Sequence, residues 1–202
     1  MMQAQNNIAI IILAAGVSSR LGYPKQLLGY AGNTLLQYLL IEALNSKANT
    51  CIVVLGAHED QINRVTDWQS ARVVVNKDWK EGMASSIRCG INALVETHPL
   101  TEGAVLMLCD QPYVTTALLN ELMATHQNTG MSIVASKYND ITGAPALFQK
   151  SIFPYLLQLK GDTGARSIIQ QHLDKVAVVD FAKGIVDIDT TTDYQNLQKS
   201  VL

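Results

Sequence analysis

The sequence predicts an α/β doubly wound domain on a mostly parallel sheet, and three observations carry that expectation. Short runs rich in Ile and Val recur along the chain and are apolar almost throughout, the pattern of strands covered on both faces. Leucines repeat at helical spacing between them, behind threonines suited to cap a helix. Strand and helix patterns alternate, which is the order of a layered α/β fold. With 202 residues, 48% hydrophobic and 16% charged, the chain is long and apolar enough for a continuous core. It holds no internal repeat, low-complexity tract or dividing linker, so residues 1–202 are expected to form one domain.

Strands are predicted over 8–13, 51–56, 72–76, 104–109, 132–136 and 176–180. A helix starts behind Thr34, where Leu35, Leu36, Leu39, Leu40, Ala43 and Leu44 share a face. Another starts behind Thr115 or Thr116 with Leu118, Leu119, Leu122 and Met123, and a third begins near Ser85. After Asn139 the alternation loosens. There "TGAPALF" reads as a further strand, and "SIFPYLLQLKGDTGARSIIQQHL" as two short helices around a Gly-rich turn, suited to a lid or an acceptor-binding subregion.

A formal net charge of -2 gives no global attraction to nucleic acid or an anionic membrane. Any phosphate binding must then come from locally placed Arg, Lys and backbone N–H groups, which points to a small ligand. Cys51, Cys89 and Cys109 are odd in number, far apart and set in apolar segments, as reduced thiols are. The apolar stretch 8–15 is too short to span a bilayer and lacks the basic flank of a secretion signal, so a soluble, cytoplasmic protein is expected. His58, His98, His126 and His172 share no spacing with Cys or carboxylates that would build a zinc site.

In an open parallel sheet, ligands sit beyond the carboxyl ends of the strands. After the first strand comes "LAAGVSSRLGYPKQLL", where Ala14, Ala15 and Gly16 let a polyphosphate or base approach the backbone and Arg20 and Lys25 supply positive charge. Gly22 is followed by Tyr23-Pro24-Lys25, so this is neither a P-loop nor a dinucleotide fingerprint, and a loop with two solvated cations fits as well. In "LMLCDQPYV" Asp110 falls at the carboxyl end of a buried strand. A carboxylate there suits a hard cation completed by phosphate oxygens, or the cap of a following turn. In "GIVDIDTTTDY", Asp187 and Asp189 point the same way along an extended chain after an apolar run, with Asp189 at a strand-to-helix junction where it or Thr190 could also simply cap the last helix. In "VNKDWKEGMASSIRCGI", Gly82, Ala84, Ser85 and Ser86 leave room at a helix N-terminus for an anion or the edge of a base, unless a serine only caps it. In "GDTGARS", Asp162 and Arg166 sit among glycines after a helix, as at a ligand-facing turn or a glycine C-cap.

Taken together and in order, "LAAGVSSRLGYPKQLL", "NKDWKEGMASSIRCGI", "LCDQPYV", "GAPALF", "GDTGAR" and "DIDTTTDY" resemble the MobA-like nucleotidyltransferases, nearest to the MocA-type molybdenum cofactor cytidylyltransferases. The resemblance spans Leu13 to Tyr194. It implies a Rossmann-like three-layer sandwich of the nucleotide-diphospho-sugar transferase kind. It places the nucleotide on Leu13, Ala14, Ala15 and Gly16, its phosphates on Arg20 and Lys25, and its base near Gly82, Met83 and Ser86. It gives Mg²⁺, with Mn²⁺ as a substitute, to Asp110 and Asp189, with Asp187 the alternative second carboxylate. Gly143, Pro145, Asp162 and Arg166 would border the acceptor. Ala15, where GTP-using members tend to have glycine, favours CTP or ATP.

The activity so implied is transfer of CMP from CTP to the phosphate of molybdopterin or of molybdenum cofactor, with a molybdoenzyme as a further partner and no nucleic acid or membrane involved. Arg20, Lys25 and Asp110 would carry the catalysis. An ionised phosphate nucleophile needs no general base, which accounts for a site of carboxylates, cations and glycines. Two rival readings stand beside it. One is a nucleotidyltransferase using ATP or GTP, or acting on a sugar phosphate or methylerythritol phosphate; the other is a non-catalytic chaperone that hands molybdenum cofactor to a client.

Overall fold

The computed structural model describes residues 7–201, and its centre is a seven-stranded sheet in the order β5-β4-β1-β6-β8-β7-β9. In chain order the strands are β1 (Ile8–Ala14), a small ladder of β2 (Gly29–Tyr30) and β3 (Asn33–Thr34), then β4 (Thr50–Leu55), β5 (Arg72–Val75), β6 (Gly103–Leu108), β7 (Ile133–Tyr138), β8 (Ile141–Gln149) and β9 (Val176–Asp180). The helices are α1 (Leu35–Leu44), α2 (Glu59–Asn63), α3 (Met83–Thr97), α4 (Thr116–Thr129), α5 (Phe153–Leu156), α6 (Arg166–Gln171) and α7 (Thr191–Val201). All sheet neighbours are parallel except β8, which runs antiparallel to both β6 and β7. The mostly parallel α/β expectation therefore holds, with "TGAPALF" as the reversed strand.

Alternation along β1 divides the core into two layers. Ile8, Ile10 and Ile12 are buried against Leu35, Leu36 and Leu39 of α1, Leu119 and Leu122 of α4 and Leu197 of α7. Ala9 and Ile11 face the other way, with Ile87 and Ile91 of α3, Leu156 of α5 and Ile168 of α6. Burial of each such aliphatic side chain stabilises the fold by roughly 1.5–3 kcal/mol. At Gly90 an added Cβ would come 2.7 Å from Ile11 Cγ2, so α3 lies directly on β1. That contact fixes where the start of α3 meets the end of the sheet.

Local signals explain the starts of α1 and α4. Thr34 Oγ1 accepts the Gln37 N–H and starts α1, and Thr115 rather than Thr116 caps α4 by accepting from Leu118 N–H. Thr116 instead donates its hydroxyl and N–H to Glu42. Three expectations need correction. Helix α3 begins at Met83, not near Ser85, behind Gly82 at φ 120, so neither serine caps it. The run 184–186 is no strand: residues Ala182–Ile185 form a 3₁₀ turn, and Asp187 and Asp189 follow in irregular chain. The third concerns Gly143 and Pro145 and belongs to the site. Among the described residues no helix is long and apolar enough to cross a membrane.

Candidate active site

A cleft of about 740 Å³ opens beyond the carboxyl ends of β1 and β6, within the range of small-molecule sites. Leu13, Ala14, Ala15 and Gly16 form one wall with Arg20 and Lys25, while Gly82, Met83 and Ser86 stand at the start of α3. Asp110, Asp187 and Asp189 line it beside Lys25, and Asp162 and Arg166 line it as well, with Asp162 against Gly82. Candidates spread over more than 170 positions of sequence thus share one cavity. Gly143 and Pro145 do not line it. Gly143 lies in β8 opposite Ser136 and packs beneath Tyr138, whose hydroxyl would meet an added Cβ, and the Pro145 carbonyl accepts from the buried Ser136 hydroxyl. Both shape the strand under Tyr138, and Tyr138 rather than either of them reaches the cleft.

The charged centre is built on Lys25. Its Nζ donates to Asp110 Oδ2 at 3.1 Å and to Asp189 Oδ1 at 2.8 Å, and Arg20 donates to Asp189 Oδ2 at 2.7 Å. Lys25 is largely buried, whereas the Arg20 side chain is 69% exposed at the mouth. Backbone chemistry brings the carboxylates together. The Ile188 N–H donates to the Asp110 carbonyl at 2.9 Å and lays the 187–189 segment beside the end of β6. Asp189 does not cap α7: Thr190 and Asp193 exchange the bonds of a capping box, which leaves the Asp189 carboxylate for the cations. Asp110 likewise caps nothing, and its Oδ1 is buried without a hydrogen-bond partner.

These pairs shift the titrating groups. Burial works against the Lys25 charge, but Asp110 and Asp189 outweigh it and hold the ammonium above the ordinary lysine value. Burial raises the Asp189 carboxyl, yet Lys25 and then Arg20 bring it below its ordinary 3.8. Asp187 is raised by burial and by the neighbouring Asp189 and Asp110 charges. A depressed carboxyl adds stability above its unfolded value and loses it as pH falls through the native value. Asp189→Asn is accordingly expected to lose less stability than the parent between about pH 5 and pH 2 in urea titrations. Equal losses in the two proteins would show that Asp189 is not held by Lys25 and Arg20.

At the α3 wall, Gly82 adopts a backbone that side chains rarely take, and a Cβ there would collide with Asp162 and the Gly161 backbone. The Gly161 carbonyl accepts from Ala84 N–H. Glu81 binds Arg88 through both oxygens at 2.9 and 2.6 Å and also accepts from Gly161 N–H. These bonds fasten the "GDTGAR" turn to the start of α3, which is how Asp162 and Arg166 come to face the loop after β1. Ser85 and Ser86 hydroxyls both accept from Asn76 Nδ2, at 2.7 and 3.1 Å.

Sequence reasoning missed Gln26, Gln111, Trp79, Lys80 and Tyr138, all of which line the cleft. Gln26 and Gln111 are almost fully buried, and each has a side-chain Oε1 without a partner. A glutamine inside the apolar surroundings of "YPKQLL" was the available signal. Among the described residues no group of three His, Cys, Asp or Glu gathers closely enough to hold a metal ion by itself. Two carboxylates with one bare buried oxygen suit a divalent cation that a ligand's phosphate oxygens would complete.

A family model described as the MobA-like NTP transferase domain matches residues 10–176. The chain is 30% identical, over 93% of its length and 94% of the relative's, to nicotine blue oxidoreductase of Paenarthrobacter nicotinovorans. It is 26% identical to molybdenum cofactor cytidylyltransferase of Escherichia coli strain K12, over 93% of each chain. Among solved structures it is similar to a Mycobacterium tuberculosis H37Rv protein crystallised in complex with manganese. That match has a TM-score of 0.79 and 31% identity, and covers 96% of this chain and 99% of that one.

Proposed function

The chain is a nucleotidyltransferase of the MobA-like NTP transferase domain family, and from that premise we propose that it transfers CMP from CTP to the phosphate of molybdopterin or molybdenum cofactor. The observation that carries the reading is the convergence of Asp110 and Asp189 on Lys25 beside the loop 13–16. The cytidylyltransferase relative and Ala15 support CTP as the donor. Asp162, Arg166 and Tyr138 line the same cleft and support an acceptor beside the nucleotide. Three free cysteines, two of them buried, support a reducing, cytoplasmic setting.

In the proposed reaction an oxygen of the acceptor phosphate bonds to the α-phosphorus of CTP as the bond to the bridging oxygen breaks, and pyrophosphate leaves with that electron pair. Gly82 and Met83, with Ser86 behind them, bound the space for the base, and the loop 13–16 receives the nucleotide backbone. Lys25 has three N–H donors, of which two are held by the carboxylates, so the third is left for a phosphate oxygen. Arg20 spends one nitrogen on Asp189 and keeps the rest of its fork at the mouth. Asp110 and Asp189, with Asp187 as the alternative, would hold Mg²⁺, or Mn²⁺ as in the relative; such a cation, when bound, supplies charge stabilisation at the phosphates. Asp162 and Arg166 would orient the acceptor, and a client molybdoenzyme would take the product.

Thermal unfolding with each nucleotide tests this reading. At a hundredfold excess over Kd, CTP with Mg²⁺ should add about 2.7 kcal/mol, a rise of roughly 5–10 °C in Tm for a chain of this size. ATP and GTP should give less, and pyrophosphate release should follow addition of molybdopterin but not of a sugar phosphate or methylerythritol phosphate. Equal stabilisation by all three nucleotides would overturn the base preference. Stabilisation by molybdopterin with no response to any nucleotide would identify a carrier instead.

A further inference from the structure

We propose that Gln26 is a positioning residue for the nucleotide: its side-chain amide turns the carbonyl edges of residues 14–16 away from the ligand and leaves their amide edges to face it. The inference rests on reading this loop as the nucleotide cradle. Gln26 is 1% exposed and sits in the 3₁₀ turn Lys25–Leu27. Its Nε2 donates to the Ala14 carbonyl at 2.7 Å and to the Gly16 carbonyl at 3.1 Å. Both partners are acceptors, so only the NH₂ end of the amide can face them, and both of its hydrogens are used.

The consequence follows from the planarity of the peptide. In a trans peptide the C=O and the N–H point in opposite directions. The Ala14 carbonyl shares a peptide with Ala15 N–H, and the Gly16 carbonyl shares one with Val17 N–H. Holding both carbonyls on Gln26 aims both amides the other way. Between them, the Ala15 carbonyl accepts from Ala57 N–H at 3.1 Å, which likewise turns the Gly16 amide away from that strand end. Three consecutive carbonyl oxygens, each repulsive to a phosphate, are thereby bound to protein donors. Gly16 and Val17 are exposed along the cleft, and an added Cβ at Gly16 would meet nothing within 4 Å.

A second observation points to a ligand at the same residue. Gln26 Oε1 is buried with no hydrogen-bond partner, although Gln26 itself lines the cleft. Buried amide oxygens are nearly always satisfied. Half of this amide is held by the loop, and half is left for what binds beside it.

Calorimetric titration of CTP with Mg²⁺ into the wild-type protein, Gln26→Leu and Gln26→Glu tests the assignment. Leucine keeps most of the volume without donors, and glutamate keeps one oxygen but sets a carboxylate against the two carbonyls. Both variants should bind CTP at least tenfold more weakly, and KM for CTP in pyrophosphate release should rise by a similar factor while KM for molybdopterin stays unchanged. A folded Gln26→Leu that binds CTP within twofold of wild type overturns the role of Gln26 alone. A wild-type protein that binds none of CTP, ATP and GTP overturns the nucleotide reading and this proposal with it. Should neither variant fold, wild-type hydrogen exchange decides: CTP must slow exchange at Gly16 and Val17, and unchanged exchange in the presence of bound CTP overturns the proposal.

Discussion

Asp110→Asn is expected to lower metal-dependent pyrophosphate release by about a thousandfold, since a cation at a transferring phosphoryl group supplies several kcal/mol and each 1.36 kcal/mol is tenfold in rate. The position explains the size. Asp110 stands just beyond the end of β6, accepts from no capping N–H, and keeps one buried oxygen unpartnered while the other accepts from Lys25. Asparagine retains the shape and one acceptor but removes the charge that would balance a divalent cation. The fold should survive, because the core strands lie behind this residue. Pyrophosphate release in Mg²⁺, measured beside the unfolding midpoint of both proteins, checks the expectation. A folded variant with full activity would remove Asp110 from the metal site.

Lys25→Ala should lower turnover by about a hundredfold or more, the scale seen when one preorganised donor to developing charge is lost. The loss has two parts. One is the contact that Nζ would make with the phosphates in the proposed reaction. The other is the arrangement of the floor, because Lys25 is the shared donor of Asp110 and Asp189, and without it two carboxylates face each other across a vacated space. Asp187, already raised by burial and by its two carboxylate neighbours, would lose the opposing charge of Lys25 and be raised further. Steady-state turnover with saturating CTP and acceptor is the measurement, and unchanged turnover would dismiss Lys25 from the mechanism.

What could be read from the sequence follows from what leaves a local trace. Burial on both faces makes β1, β4 and β6 nearly continuous in apolar residues, so those strands and the loops beyond them were legible. Strand direction has no such trace, and the reversal of β8 comes from its pairing with β6 and β7. The start of α3 was misplaced because serines near a helix start resemble caps, whereas the true boundary depends on the backbone of Gly82. Arg20, Lys25, Asp110 and Asp189 were legible as charges at strand ends and in motifs, but not their bonds to one another. Gly143 and Pro145 come to the acceptor only through the resemblance of "GAPALF", and a motif does not say which of its residues face a cleft and which support the strand beneath it. Gln26 and Gln111 escaped notice since their partners are backbone carbonyls, which no residue type announces.

The bond from Ile188 to the Asp110 carbonyl also sets when the site can exist. A ribosome delivers the chain from its N-terminus, so the loop after β1, Lys25 and Asp110 emerge long before Asp189. Until the 187–189 segment leaves the exit tunnel, Lys25 has Asp110 but lacks its second carboxylate, and Arg20 lacks Asp189. The growing chain can therefore lay down β1, β4, β5 and β6 while its charged floor is still open. The charged floor is therefore completed only after Asp189 has emerged, well after the strands and the loop that surround it.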